Sequence, residues 1–210
     1  MAAHKTNISA RKERKIARSV GIRPIKQSFL IICEGENTEP EYFNSFRLTS
    51  AKVKAVGKGL GTLALLREAL SIRKEETRKG HVFDQCWLVF DKDDFPDGDF
   101  NEAIRKGEAE GFRVAWSNQS FEFWFILHFI QHHGPMHRRE YPAVLTRLTG
   151  RAYSKSQGFT KLIFNQLYPL TDVAISNARN VLQDMDITFP AKAESATTVF
   201  ALVEELKKYI

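Results

Sequence analysis

The chain has 210 residues, 43% of them apolar, 27% charged and 11% aromatic with sixteen Phe, a globular composition long enough to bury a substantial core and unlike that of a disordered chain. Its longest apolar run, Phe121 to Ile130, is about half the ~20 residues a membrane-spanning helix needs and contains Glu122 and His128, so no membrane partner is expected. The two cysteines, Cys33 and Cys86, sit in strand-like apolar runs, which argues against a disulfide scaffold or a thiolate zinc site and for a reducing, cytoplasmic setting.

The formal net charge of +6 is unevenly placed. Eight Lys or Arg against the single acid Glu13 fall within residues 1–27, leaving the rest of the chain close to neutral. Residues 1–26 therefore read as a basic N-terminal arm in which Arg11, Lys12, Arg14, Lys15, Arg18 and Arg23 are the candidate grips for a phosphate polyanion. No apolar h-region accompanies these charges, so a secretory signal is not expected.

Three apolar runs predict central parallel strands: Phe29 to Cys33, Cys86 to Phe90 and Phe112 to Trp116. Lys52 to Val56 alternates polar and apolar residues and predicts an edge strand. Helical segments fall between them at Glu39 to Arg47, Leu60 to Arg78 and Phe100 to Glu110. Two helix starts carry a capping-box pattern, with Thr38 and Asp99 as the caps. Strand and helix alternate as in an open, mostly parallel α/β sheet flanked by helices, assigned to residues 27–135. From Ser120 the chain turns helical and very apolar. Residues 136–210 read as a helical C-terminal addition packed on that core, ending in a helix from Ser195 to Tyr209 with Ser195 as its cap.

In such a sheet, ligands bind beyond the carboxyl ends of the strands. The first strand ends in Glu34-Gly35-Glu36, the third in Asp91-Lys92-Asp93-Asp94 and the fourth in Ser117-Asn118. Glu34, Asp91 and Asp93 lie nearest the strand ends. Carboxylates gathered that closely repel one another unless cations neutralise them, and hard divalent ions with oxygen ligands, Mg²⁺ or in its place Mn²⁺, are the natural partners. Gly35 lets the backbone turn sharply and leaves room for a phosphate.

These residues carry a family resemblance. The strand and Cys-Glu-Gly-Glu, Thr-Glu-Pro and Tyr-Phe of Phe29 to Phe43, the run Trp87 to Phe95, and Ser117-Asn118 through Phe121-Glu122-Phe123-Trp124 to Phe129 resemble the RloB-like proteins over roughly residues 10 to 205. The resemblance implies a Toprim-like nuclease core, in which a glutamate after the first strand and an Asp-x-Asp after the third hold divalent metal; here these match Glu34, Asp91 and Asp93. It implies a toxic effector of anti-phage defence, often beside a partner ATPase, acting on tRNA or other nucleic acid. Some such nucleases add an acid just after the glutamate, and both Glu36 and Glu39 are candidates.

Other residues complete the expectation. Lys155 is the candidate cation for charge developing on the reacting phosphate. Glu122, in the first turn of an apolar helix, is expected at the same sheet edge, binding the metal's waters or a lysine. Asn118 is a candidate phosphate donor, and Arg138, Arg139, Arg151 and Lys161 candidate phosphate grips. Gly57 to Thr62, between a strand and a helix, offers free N–H groups to phosphate but lacks the spacing of a P-loop. His128, His132, His133 and His137 lack the companions a zinc site requires. The reading is a Mg²⁺-dependent endonuclease, a ribonuclease acting on tRNA, with oligomeric state open. Its rivals are a non-catalytic nucleic-acid-binding or effector subunit, a DNA nuclease and a Mg²⁺-dependent phosphatase.

Overall fold

The computed structural model describes residues 27–55 and 62–210. Five strands, β1 (Phe29–Cys33), β2 (Ala51–Ala55), β3 (Gln85–Asp91), β4 (Arg113–Asn118) and β5 (Ala196–Thr197), form one sheet in the order β2-β1-β3-β4-β5. The first four are parallel, and β5 pairs antiparallel with β4. The helices are α1 (Thr38–Ser45), α2 (Thr62–Arg78), α3 (Asp97–Ala109), α4 (Glu122–Leu127), α5 (Tyr141–Thr149), α6 (Phe159–Leu167), α7 (Thr171–Gln183) and α8 (Val199–Lys207).

The chain is thus α/β, a mostly parallel open sheet with helical flanks and a C-terminal helix, as the alternation of apolar runs predicts. All five residues of β1 are buried, which explains its unbroken apolar sequence: both faces of a central strand are covered. Lys52 to Val56 is predicted as an edge strand, and β2 lies at the sheet's edge. From β1 the chain crosses one way to β2 and from β3 the other way to β4. Right-handed crossovers then put α1 on one face and α2 and α3 on the other. Consistently, α2 packs on α3, and α1 on α6.

The aromatic weight has a location. Tyr42 makes edge contacts with Phe43, Phe46, Phe121 and Phe164 at centroid distances of 5.3–5.7 Å and packs tilted against Phe125 at 5.5 Å. This cluster joins α1, α4 and α6 on one side of the sheet, where the preferred edge-to-face geometry adds to area burial. Every residue of α4 is buried, so its apolar character runs all the way round rather than along one stripe.

Three local expectations are corrected. The residue capping α1 is Asn37, without a side-chain cap bond, and Thr38 is already helical. Helix α3 starts at Asp97 after Pro96, so Asp99 lies inside its first turn rather than capping it. Ser195 caps no helix: it sits at φ +58°, its hydroxyl accepts the Met136 N–H at 2.8 Å, and two strand residues and Thr198 separate it from α8. The strand β5 is too short to show a period of two, and through it the C-terminal part joins the sheet itself.

Candidate functional site

Strands β1 and β3 are neighbours whose outgoing connections run in opposite directions, and a crevice at such a switch point is where open α/β sheets bind ligands. Cys33 is in register with Val89, so the chain leaves both strands side by side. The Glu34 N–H donates to Val89 O at 2.9 Å, and the Asp91 N–H donates to Glu34 Oε2 at 3.3 Å. A cavity of about 350 Å³ opens here, its wall including Glu34, Glu36, Glu39, Asp91, Asp93 and Lys155. Three elements deliver these acids: the end of β1, the first turn of α1 and the end of β3.

Burial dominates their electrostatics. It pushes Glu34 from the usual 4.5 up to about 7, against the bond from Asp91's amide and with further push from the charges of Asp93 and Glu39. It likewise takes Glu39 to about 7, with Glu122 and Asp93 raising it and Lys155 opposing. Asp91 is held well above the ordinary carboxylate range by burial first, then by Glu39, Asp93 and Glu122. Carboxyl groups pushed up together this way are poised for a cation.

Two cations of the chain already face them. Lys155 Nζ lies 2.8 Å from Glu122 Oε1, and the Tyr153 hydroxyl donates to the same oxygen at 2.6 Å. Ser120 Oγ donates to Glu122 Oε2 at 2.7 Å. Burial works to raise Glu122, but Lys155 and these two hydroxyls outweigh it, so its pKa is lowered and the buried carboxylate stays ionised. Across the site, Arg138 pairs with Asp93 through Nη1 and with Asp94 through Nη2. The Gln119 side-chain carbonyl accepts the Arg138 N–H at 2.7 Å, and its backbone carbonyl accepts the Asp93 N–H at 2.9 Å, fixing both partners from one residue.

The donor set suits a hard divalent ion. Asp91 Oδ2 accepts the Phe121 N–H at 3.0 Å, while Oδ1 is buried without a partner. Gly35 packs so closely on Glu39 that a Cβ there would stand 2.2 Å from Oε2, so only glycine leaves that carboxylate its place. All available ligands are oxygen, as Mg²⁺ and Mn²⁺ prefer. Among the described residues, no group of three His, Cys, Asp or Glu side chains is arranged to hold a metal ion as it stands; Asp93 is turned to Arg138 and Glu122 to Lys155.

The sequence model of the RloB-like protein family matches residues 29–206, most of the chain. The chain belongs to the RloB-like family. No curated protein and no solved structure shows a significant match.

In this RloB-like chain, the fold brings together Glu34, Asp91, Asp93, Glu39 and Lys155, with Glu122 behind Lys155. Glu36 and Glu39 both line the cavity, but Glu39 is buried and Glu36 exposed, which favours Glu39 as the additional acid. Asn118 is a correction. It is buried, and its Nδ2 donates to Pro190 O at 3.1 Å and Ala191 O at 2.8 Å, so both amide hydrogens are spent and none is left for phosphate. Arg138 lies at the site but is paired with the acids; Arg139, next to it, is exposed. His128 is buried in the core with Nδ1 on Trp124 O at 2.9 Å, away from any ligand set.

Arg11, Lys12, Arg14, Lys15, Arg18 and Arg23, and the glycines at 57, 59 and 61, lie outside the described residues. No helix among the described residues is long and apolar enough to cross a membrane. Sequence reasoning missed the roles of Gln119, Ser120 and Tyr153. Each acts through a contact set by the fold, and a hydroxyl or amide in a loop carries no pattern that announces it.

Proposed function

We propose that this RloB-like chain is a Mg²⁺-dependent endonuclease, with Mn²⁺ as a working substitute, that cleaves RNA and most specifically tRNA. The observation that carries the reading is the Asp91 carboxylate: one oxygen tied to the backbone, the other buried without a partner, among carboxyl groups that burial holds near neutrality. A purely structural acid would be expected to have both oxygens bonded or exposed to water.

In this reading Glu34, Asp91 and Asp93, with Glu39 beside them, would hold the cation. When bound, such an ion supplies Lewis-acid polarisation of a phosphoryl oxygen and a more acidic water. The protein's own contributions follow from the contacts. The burial of Glu34 and Glu39 keeps bulk water from competing for the acids. Lys155 on the cavity wall offers a positive charge to a phosphate whose charge is developing, paired with Glu122, which Tyr153 and Ser120 hold in turn. Arg138, beside Asp93, and the exposed Arg139 next to it would be the arginines to meet an incoming backbone phosphate. The six basic residues of the arm would add a salt-dependent, sequence-independent grip.

Family membership supports the further reading of a toxic effector in cytoplasmic anti-phage defence, acting beside a partner ATPase. The test is expression in a bacterial host, with and without the candidate ATPase, comparing wild type with Asp91→Asn and sequencing host tRNA ends. Toxicity and new tRNA ends that vanish in the variant are expected. Toxicity without new tRNA ends points to DNA, and a variant as toxic as wild type points to a binding subunit.

A further inference from the structure

Helix α1 serves two cavities. Its first turn carries Glu39 into the acidic site, and its later residues Glu41 and Asn44, with Arg47 just beyond its end, form one wall of a second cavity of about 570 Å³. The opposite wall comes from α6 with Lys161 and Asn165, and from Tyr168 just beyond it. Along α1 the rise from Glu39 to Ser45, which also lines the second cavity, is about 9 Å, a short step for a polynucleotide strand. The volume falls in the range of small-ligand sites, roughly 300–1,000 Å³.

The chemistry of the walls narrows the occupant. Arg47 and Lys161 have no ion-pair partner among the described residues, which favours a negatively charged group. A bare anion is a poor fit, because Glu41 is in the same wall: its Oε1 accepts the Gly158 N–H, and its Oε2 is buried with no partner. The occupant therefore needs N–H donors as well as negative charge. Tyr168 is 41% exposed, and its ring is backed by Phe164 at 5.5 Å and Phe46 at 6.0 Å, a braced aromatic surface of the kind on which a base stacks. Asn44 and Asn165 are exposed amides on facing helices, able both to give and to accept hydrogen bonds at a base edge.

A group with a phosphate, a flat aromatic face and N–H donors on its edge is a nucleotide whose base is free. We propose that the groove between α1 and α6 is the seat for an unpaired nucleotide of the strand that crosses the acidic site. This rests on the nuclease reading for the identity of the strand, while the chemistry of the groove stands by itself. It gives the protein a preference for loops, bulges and ends, because a base within a duplex presents neither its face nor its pairing edge.

The test is fluorescence anisotropy of a labelled ribo-octamer with the full chain in EDTA, where no cleavage interferes. Wild type is expected to bind the single strand at least about tenfold tighter than the same sequence as a duplex. Tyr168→Ala and Lys161→Glu are each expected to weaken binding at least about tenfold, with Tyr168→Phe and the control charge reversal Lys74→Glu within twofold of wild type. All these positions are exposed or half-buried, so melting curves should stay close to wild type. No binding by wild type, or binding by Tyr168→Ala and Lys161→Glu equal to wild type, overturns the proposal. So does displacement of the octamer by micromolar nucleoside monophosphate, which would make the seat one for a small ligand. The two readings separate. Binding that depends on Tyr168 and Lys161 in a protein without Mg²⁺-dependent cleavage keeps the seat and sinks the nuclease, whereas cleavage untouched by either variant does the reverse.

Discussion

Arg138 reaches across 45 positions of the chain to hold Asp93 through Nη1, while its Nη2 holds the exposed Asp94. Asp93 is one of the acids proposed to hold the cation, and it adopts φ +43°, a left-handed conformation that Asp tolerates better than most residues. In the proposed cation site the guanidinium therefore competes for a carboxylate that the ion would use, and would have to yield it when the ion binds. A partly exposed pair of this kind contributes about 1 kcal/mol. Arg138→Ala is expected to tighten Mn²⁺ binding a few-fold in calorimetry, since the competing charge is gone. Unchanged or weaker Mn²⁺ affinity would mean that Asp93 is not a ligand.

Glu34 and Glu39 titrate near 7 in the fold against the usual 4.5, both raised first by burial. For an acid whose folded-state pKa is raised, the stabilisation is fully present below about 4.5 and is lost as pH rises through about 7. The metal-free chain should accordingly lose stability on this account between pH 5 and 8. At the proposed site a divalent cation would bind the ionised acids and reverse the penalty, so its effect would depend on pH in the opposite sense. Mg²⁺ is expected to raise the melting temperature by several degrees at pH 8 and hardly at all at pH 5.5. An equal rise at both values would show that the cation binds elsewhere.

His128 works against this trend in nearly the same window. Its Nδ1 faces the Trp124 carbonyl, which can only accept, so the proton is on Nδ1 and the lone pair on the buried, unpartnered Nε2. Burial lowers its pKa from 6.5 to about 4, against weaker support from the Trp124 and Phe125 carbonyls. A neutral buried histidine keeps its contribution above 6.5 and loses it as pH falls towards 4, in total about 3 kcal/mol. Because the acids gain stability over that interval, the raw pH profile mixes the two, and the comparison has to be between variants. The drop in urea midpoint from pH 7.5 to 4.5 should be smaller in His128→Leu than in wild type. Equal drops would disprove the burial account.

Much of this architecture is legible in the residues themselves. An unbroken apolar run such as Phe29 to Cys33 needs cover on both faces, and an acid directly after it must then stand at the sheet's carboxyl edge. That reasoning reaches Glu34 and Asp91 without a structure. It does not reach Arg138, because the approach of residue 138 to residue 93 depends on where the chain returns after α4, and no local pattern encodes that return. Nor does it separate Glu36 from Glu39: the difference is that α1 turns Glu39 under Gly35 and leaves Glu36 in solvent. The fate of Asn118 was equally hidden, since its amide is claimed by carbonyls more than seventy positions away. Strand and helix identity follow from short-range periodicity, whereas the pairing of charges follows from tertiary contacts.

Gly35 gives a way to disturb the site without disturbing the fold. A methyl group at that position would stand 2.2 Å from Glu39 Oε2, 2.6 Å from Oε1 and 2.7 Å from Cδ, and nothing else crowds it as closely. The obstacle is the far end of a flexible side chain, so the carboxylate can swing away at little cost to the backbone, and in doing so it leaves the cavity. Gly35→Ala is therefore expected to weaken Mn²⁺ binding about tenfold or more with a nearly unchanged melting temperature. If Gly35→Ala binds Mn²⁺ as wild type does, Glu39 is not part of the cation site, and the additional acid is Glu36 or none.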